Sequence, residues 1–257
     1  MTSTKTITLI GAGKVATHLG KALFNQGFSI NQVYSKSIDN AFSLASELNA
    51  LPLDDFKFLT DESDVYLICI KDNFIEEVIK EFSFTNKIVA HTSGSVGMDV
   101  LNKFDNYGIF YPLQTFSKEN NLDIPQIPFC IEGNNIETEE ILFALGRELS
   151  NNVHKINSEQ RKKIHLAAVF ACNFSNHMYT IAEDILKQNN LDFNLLKPLI
   201  METAKKIKGN SPSDMQTGPA KRNDTKVLKN HLEMLADLKD YQDIYRLITD
   251  TIINGKF

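Results

Sequence analysis

Tryptophan is absent from this 257-residue chain, and cysteine occurs only three times. The missing tryptophan carries no functional consequence. Cys69, Cys130 and Cys172 show no C-x-x-C spacing and each lies in apolar sequence. Buried thiols are therefore expected, without a disulfide or a metal site. Long hydrophobic runs are also missing. The longest one near a helix, Leu166 to Cys172, falls far short of the roughly 20 apolar residues a membrane span requires. The first strand starts within the opening residues, leaving no room for a signal peptide, so a cytoplasmic protein without a membrane partner is expected. Basic clusters are lacking too: 27 Lys and Arg stand against 32 Asp and Glu, a net charge of −5, which argues against nucleic acid as a partner. With 42% hydrophobic residues the chain can bury a substantial core, as one large or two modest domains.

Residues 6–25 read TITLIGAGKVATHLGKALFN, a short apolar strand running into a glycine turn and an amphipathic helix. In such a G-x-G-x-x-A turn, Gly11 permits the tight bend and Gly13 lets the backbone approach a diphosphate. Ala16 allows close packing of helix on strand. The start of the helix offers unpaired N–H groups, those of Lys14 and Val15 among them, and the positive end of its dipole. Gln26-Gly27 reads as a helix stop, and a strand around Gln32 to Tyr34 completes a βαβ unit. At the tip of that second strand an acid would bind the ribose hydroxyls of NAD, but the sequence is Ser35-Lys36-Ser37. Two hydroxyls and a lysine suit a 2′-phosphate, which makes NADP(H) the expected cofactor. Asp39 comes later and is expected to cap the following helix.

Strands and helices alternate to about residue 157. The strand candidates are Ile7–Ile10, Gln32–Tyr34, Leu51–Leu53, Val65–Ile70, Ile88–His91, Gly108–Tyr111, Pro128–Ile131 and Val153–Ile156. This pattern predicts an α/β fold: an N-terminal Rossmann doubly wound parallel sheet followed by an all-helical C-terminal domain. The boundary is set at 157/158, giving a nucleotide-binding domain at 1–157 and a helical substrate and dimerisation domain at 158–257. Asn157 and Gln160 have the spacing of a capping box for a helix of about 30 residues ending near Asn189. A second helix is expected over Asn194 to Ile207, and two more between Asp224 and Asn254. The middle of the long helix, Leu166 to Cys172, is apolar on every side, which predicts burial all round. The helical part is too small to cover it alone, so a homodimer is expected.

In open parallel sheets, ligands bind beyond the carboxyl ends of the strands. The sequence puts Ile70-Lys71-Asp72 at one such end, His91-Thr92-Ser93-Gly94-Ser95 at the next, and Tyr111-Pro112-Leu113-Gln114-Thr115 at the third. Hydroxyls, amides and an imidazole thus collect on one edge. Ile70, Lys71 and Thr92 join the residues of the glycine turn and of the second strand tip as coenzyme-binding candidates. On the long helix, His165 and Asn173 are polar groups in an apolar setting, where polarity must be compensated. The run TGPAKRND at 217–224 combines a fixed bend with Arg222, which can clamp an anion through two parallel hydrogen bonds.

The motifs GAGKVA (11–16), HTSGS (91–95), YPLQTF (111–116), HLAAVFACNF (165–174) and TGPAKRND (217–224) together resemble one family. Its members pair a Rossmann-like domain with a C-terminal helical domain of unknown function and are described as deazaflavin-type NADP oxidoreductases. The chain is more distantly similar to pyrroline-carboxylate reductase, prephenate dehydrogenase and the beta-hydroxyacid dehydrogenases. The resemblance covers nearly the whole sequence and implies a fold, a nicotinamide cofactor and a dimer. In one respect the chain departs from these relatives. Hydroxyacid dehydrogenases place a catalytic lysine one turn before an asparagine on the long helix, whereas here Val169 stands four residues before Asn173. His165 lies two turns before Asn173, so the proton-transfer role is assigned to it. Asn173 and Ser93 are expected to orient a carbonyl or imine. Arg222, Gln114, Thr217 and His91 are expected to bind a small, anionic substrate. The competing expectation, favoured by the missing lysine, is a non-catalytic NADP(H)-binding sensor or scaffold.

Overall fold

A parallel sheet that is covered on both faces needs strands that are apolar at nearly every position, and Val65–Ile68 and residues 88–90 are of that kind. In the computed structural model, which describes residues 6–117 and 122–255, the chain opens with β1 (Thr6–Ile10), α1 (Lys14–Asn25), β2 (Ser29–Tyr34), α2 (Ile38–Leu48) and the short β3 (Leu51–Leu53). There follow β4 (Val65–Ile68), the single turn α3 (Ile75–Val78), β5 (Ile88–His91) and β6 (Asn106–Pro112). The alternating part ends with β7 (Phe129–Gly133), α4 (Ile136–Leu149) and β8 (Val153–Lys155). All eight strands join one sheet in the order β3-β2-β1-β4-β5-β6-β7-β8. Every pairing is parallel except that of β6 with β7. The expected doubly wound α/β fold is therefore present. β4 stops at Ile68 rather than Ile70, because its partner β1 ends at Ile10, where the chain turns away at Gly11.

Alternate residues of each strand feed opposite cores. Leu9, Leu67, Phe110 and Ile131 meet Leu19 and Leu23 of α1, Leu44 and Leu48 of α2, and Leu142 and Leu145 of α4. On the other face Ile10, Tyr66, Ile68 and Val89 pack against Ile75, Val78, Phe82 and Phe104. Gly27, at φ 87°, ends α1 as expected. The cap of α2 differs from expectation. Ser37, not Asp39, accepts from Asn40 N, because the hydroxyl stands one residue ahead of the first turn, whereas Asp39 is already within it.

The helical run begins with α5 (Ser158–Ala168), closed by the Asn157–Gln160 capping box. A π-helical stretch, Val169–Phe174, separates it from α6 (Ser175–Gln188), so the expected 30-residue helix is one α-helix only up to Ala168. α7 (Lys197–Lys206), α8 (Thr225–Met234) and α9 (Lys239–Asn254) complete the chain. Asp224 caps α8 by accepting from Val227 N.

By its internal contacts the chain divides into two compact units, residues 1–172 and 173–257. The strands end before residue 158, but α5 belongs with the sheet: Ser158 Oγ donates to Glu132 at 2.6 Å and accepts from Met98 N at 3.2 Å. The predicted all-round burial of Leu166 to Cys172 does not hold within one chain. Leu166 is 60% and Phe170 62% exposed, and Cys172 is exposed as well, unlike the buried Cys69 and Cys130. Arg161 is the only buried residue of α5, so this helix rests on one face and leaves its apolar end uncovered. In the second unit, Ile181, Ala220, Leu228 and Leu235 form the buried apolar set, joined by the Tyr241–Asp184 and His231–Tyr245 hydrogen bonds at 2.7 and 2.8 Å. Among the described residues no helix is long and apolar enough to cross a membrane.

Candidate active site

Gly11 has φ 119°, a conformation that side chains resist, and a Cβ there would fall 2.5 Å from the carbonyl oxygen of Cys69. Its N–H is bonded to Tyr34 O at 2.7 Å, which holds the turn against the end of β2. Gly13 is different. It precedes α1 in extended conformation with no side-chain cap, and a Cβ on it would meet nothing within 4 Å. No acid occupies the first turn of α1, and its leading N–H groups have no partner within the helix. The turn thus fits a diphosphate, as the glycine spacing predicts.

A cleft of about 870 Å³ opens from this turn along the carboxyl edge of the sheet. Gly11, Gly13, Lys14, Val15, Ser35, Lys36, Ser37, Ile70, Lys71 and Thr92 all line it, together with Ser93, Gln114 and His165. At its β2 end, Ser35 Oγ accepts from Ser37 N at 3.3 Å. Lys36 reaches Glu77 Oε1 at 3.2 Å, and its ammonium lies 5.1 Å from the centre of the Phe74 ring.

At the other end, Ser93 Oγ accepts from the N–H groups of Ser95 and Val96, at 3.1 and 3.0 Å, which folds the loop after β5. His91 holds the same loop. Its Nδ1 accepts from Ser93 N at 3.2 Å, so Nε2 carries the proton that is donated to Gly97 O. His91 is fully buried and does not line the cleft, which corrects the expectation that it touches a substrate: its side chain points under the loop, and both nitrogens are committed. Burial pushes this imidazole down to about 4, so it stays neutral near pH 7.

His165 meets Tyr111 there, with 3.1 Å between Nδ1 and the phenol oxygen. Both rings pack on Gly94, where a Cβ would fall 2.5 Å from His165 Nδ1 and 2.8 Å from Tyr111 Cζ. Burial pushes the Tyr111 hydroxyl up to about 12. A phenol that stays protonated can donate to a bare Nδ1 or accept from a protonated one, leaving Nε2 for exchange with a ligand. One turn earlier on α5, the fully buried Arg161 donates to Glu132 at 2.9 Å and also to Val96 O. Arg161 therefore clamps α5 to both β7 and the loop after β5. Its Nε has no hydrogen-bond partner among the described residues.

Sequence reasoning missed Tyr111, Arg161 and Glu77. Tyr111 opens the YPLQTF run at a strand end, which is a usable signal. Arg161 sits in the charged stretch Ser-Glu-Gln-Arg-Lys-Lys, where nothing distinguishes a buried guanidinium from an exposed one. Asn173, Thr217 and Arg222 belong to the second unit, where all three are exposed. The bend at 217–224 is present, with Gly218 at φ 103° and Arg222 N bonded to Gly218 O. The α-helical spacing used to align Asn173 with His165 is interrupted by the wider π turns from Val169 onward.

Residues 6–93 match the family described as NADP oxidoreductase, coenzyme F420-dependent. Residues 127–252 match a domain of unknown function, DUF2520. A candidate NADP oxidoreductase from Bacteroides fragilis is 43% identical, with TM-score 0.92 over 97% of this chain and 98% of that one. The chain belongs to this two-part NADP oxidoreductase family. A protein from Thermotoga maritima is 24% identical with TM-score 0.73, covering 96% of each chain. A reductive aminase from Aspergillus terreus, in complex with NADPH and ethyl-5-oxohexanoate, also has TM-score 0.73 to this oxidoreductase, at 14% identity over 99% and 96% of the two chains. At these identities the likeness is one of fold. No curated protein matches the chain.

Proposed function

We propose that this oxidoreductase uses NADP(H) to pass a hydride to or from a small, anionic carbonyl, imine or alcohol compound. One observation carries the reading: a single cleft joins the bare glycine turn to the His165–Tyr111 pair. When bound, the nicotinamide coenzyme supplies or accepts the hydride. Gly11, Gly13 and the N–H groups of Lys14 and Val15 hold the diphosphate, while Ser35, Lys36 and Ser37 hold the 2′-phosphate. Ile70, Lys71 and Thr92 flank the coenzyme along the strand ends. His165 gives or takes the proton at Nε2, and Tyr111 keeps the ring oriented through Nδ1. Ser93 and Gln114 orient the reacting group. On the second unit, Arg222 and Thr217 are the proposed binders of the anionic part, and Asn173 is a further orienting group. The exposed apolar side chains of the helices are proposed to pair two copies of the chain.

Titration with NADPH, followed by turnover on a panel of keto acids, imines and alcohols monitored by nicotinamide absorbance, tests the reading. His165→Ala should lower kcat by about 100-fold or more while leaving coenzyme affinity unchanged. Undiminished turnover in that variant would remove His165 from the chemistry. Tight NADPH binding with no turnover on any compound would instead favour a sensor or scaffold.

A further inference from the structure

Lys36 stands in an acidic neighbourhood. The recess beside it is lined by Tyr34, Phe56 and the carboxylates of Asp54, Asp55, Glu77 and Glu81, with Lys36 as the one cation among its lining residues. Asp55 has its own partner in Lys57, at 2.7 Å. Burial raises the Tyr34 hydroxyl above its ordinary value, Lys36 opposes the rise, and Glu81, Asp55 and Asp54 add to it. At the tip of β2 Lys36 thus faces several carboxylates, of which Asp55 is already paired with Lys57. Glu77 is the one in contact with the Lys36 ammonium.

An anion arriving at Ser35 and Ser37 therefore finds its counter-charge already engaged. We propose that Glu77 is a specificity-determining residue: it competes with the coenzyme's 2′-phosphate for Lys36, so the preference for NADP(H) over NAD(H) is set by the contest of carboxylate and phosphate for one ammonium. The inference rests on the reading of the cleft as an NADP(H) site. Both side chains are more than 60% exposed, and ion pairs of that kind are weak. A phosphate with three acceptor oxygens can displace the carboxylate. Phe74 keeps the ammonium near the strand tip during the exchange, because its ring attracts the cation whichever anion is bound. The NAD(H) coenzymes carry no charge at this ribose, so they gain nothing from a released Lys36.

Wild type, Glu77→Gln, Lys36→Gln and the double variant are titrated with NADPH and NADH, following nicotinamide fluorescence. Glu77→Gln should tighten NADPH about two- to fivefold and change NADH affinity by less than about twofold. Lys36→Gln should weaken NADPH about tenfold or more. The double variant should bind NADPH like Lys36→Gln alone, since Glu77 then has no lysine to hold. An unchanged NADPH-to-NADH ratio in Glu77→Gln overturns the proposal. So does a loss of NADH affinity, which would make Glu77 a ribose-binding acid. Equal tightening in the presence and absence of Lys36 would mean direct repulsion of the phosphate, and also overturns it. Failure of wild type to bind either coenzyme is a different result, and brings down the reading of the cleft itself.

Discussion

In residues 1–172, Ile7, Leu9, Leu67, Phe110 and Leu142 are fully buried, and so is a charged residue, Arg161. In residues 173–257 the most buried apolar side chains are Ala220, Leu228, Ile181 and Leu235, while Leu195, Leu199, Met201 and Leu247 are 62–69% exposed. The first unit closes its own core on both faces of the sheet and carries the cleft proposed to hold the coenzyme. The second leaves large apolar side chains uncovered. Burying each of these would contribute roughly 1.5–3 kcal/mol. The contrast teaches that the chemistry of the cleft and the apolar surface of the helices are separate properties of the chain, which can be perturbed one at a time.

The largest perturbation should come from the buried pair in the sheet unit. Glu132→Ala strands Arg161 without its carboxylate and should cost about 3–5 kcal/mol, read from the urea midpoint. A loss below about 1 kcal/mol would show that water reaches the guanidinium and that the first unit is less closed than described.

His91 provides the next test. Its folded pKa of about 4 lies below the ordinary 6.5, so the unfolded chain binds a proton that the folded one refuses. Stability from this group is fully present above about pH 6.5 and drains away as pH falls toward 4, by roughly 3 kcal/mol in all. Urea unfolding near pH 7 and near pH 5 should show this slope, and His91→Gln should flatten it. An equal slope in the variant would place the titrating group elsewhere. The smallest effect belongs to the helical unit. Leu199→Ser should change the stability of the isolated chain by less than about 0.5 kcal/mol. If two copies pair through this surface, sedimentation will show the substitution shifting the chain toward monomer. An unchanged sedimentation profile would remove Leu199 from the pairing face.

Much of the first unit could be read from its residues. The glycine turn, the strand cores and the Asn157–Gln160 box are local patterns in which each residue type has one mechanical use, and all of them appear in the structure. Three of the family motifs, GAGKVA, HTSGS and YPLQTF, likewise sit where a strand meets a loop. What escaped were features made by distant partners. Burial of Arg161 depends on Glu132 in a strand far away in sequence, and no pattern within α5 announces it. Neutral His91 depends on burial beneath the loop after β5, which residues far from it in sequence complete, so an imidazole at a strand end read as a ligand-binding group. Leu166 to Cys172 misled in the opposite direction: composition signals a wish for burial but does not name the surface that satisfies it.

Gly94 has one further consequence. The volume that a side chain would fill there is lent to the rings of His165 and Tyr111. Position 94 is consequently a steric lock on the proposed proton-transfer group: adding a single methyl would evict the imidazole while every titratable atom of the chain stayed intact. Tolerance at this one position therefore gauges how tightly the chemistry depends on ring placement, independently of what the ring is made of.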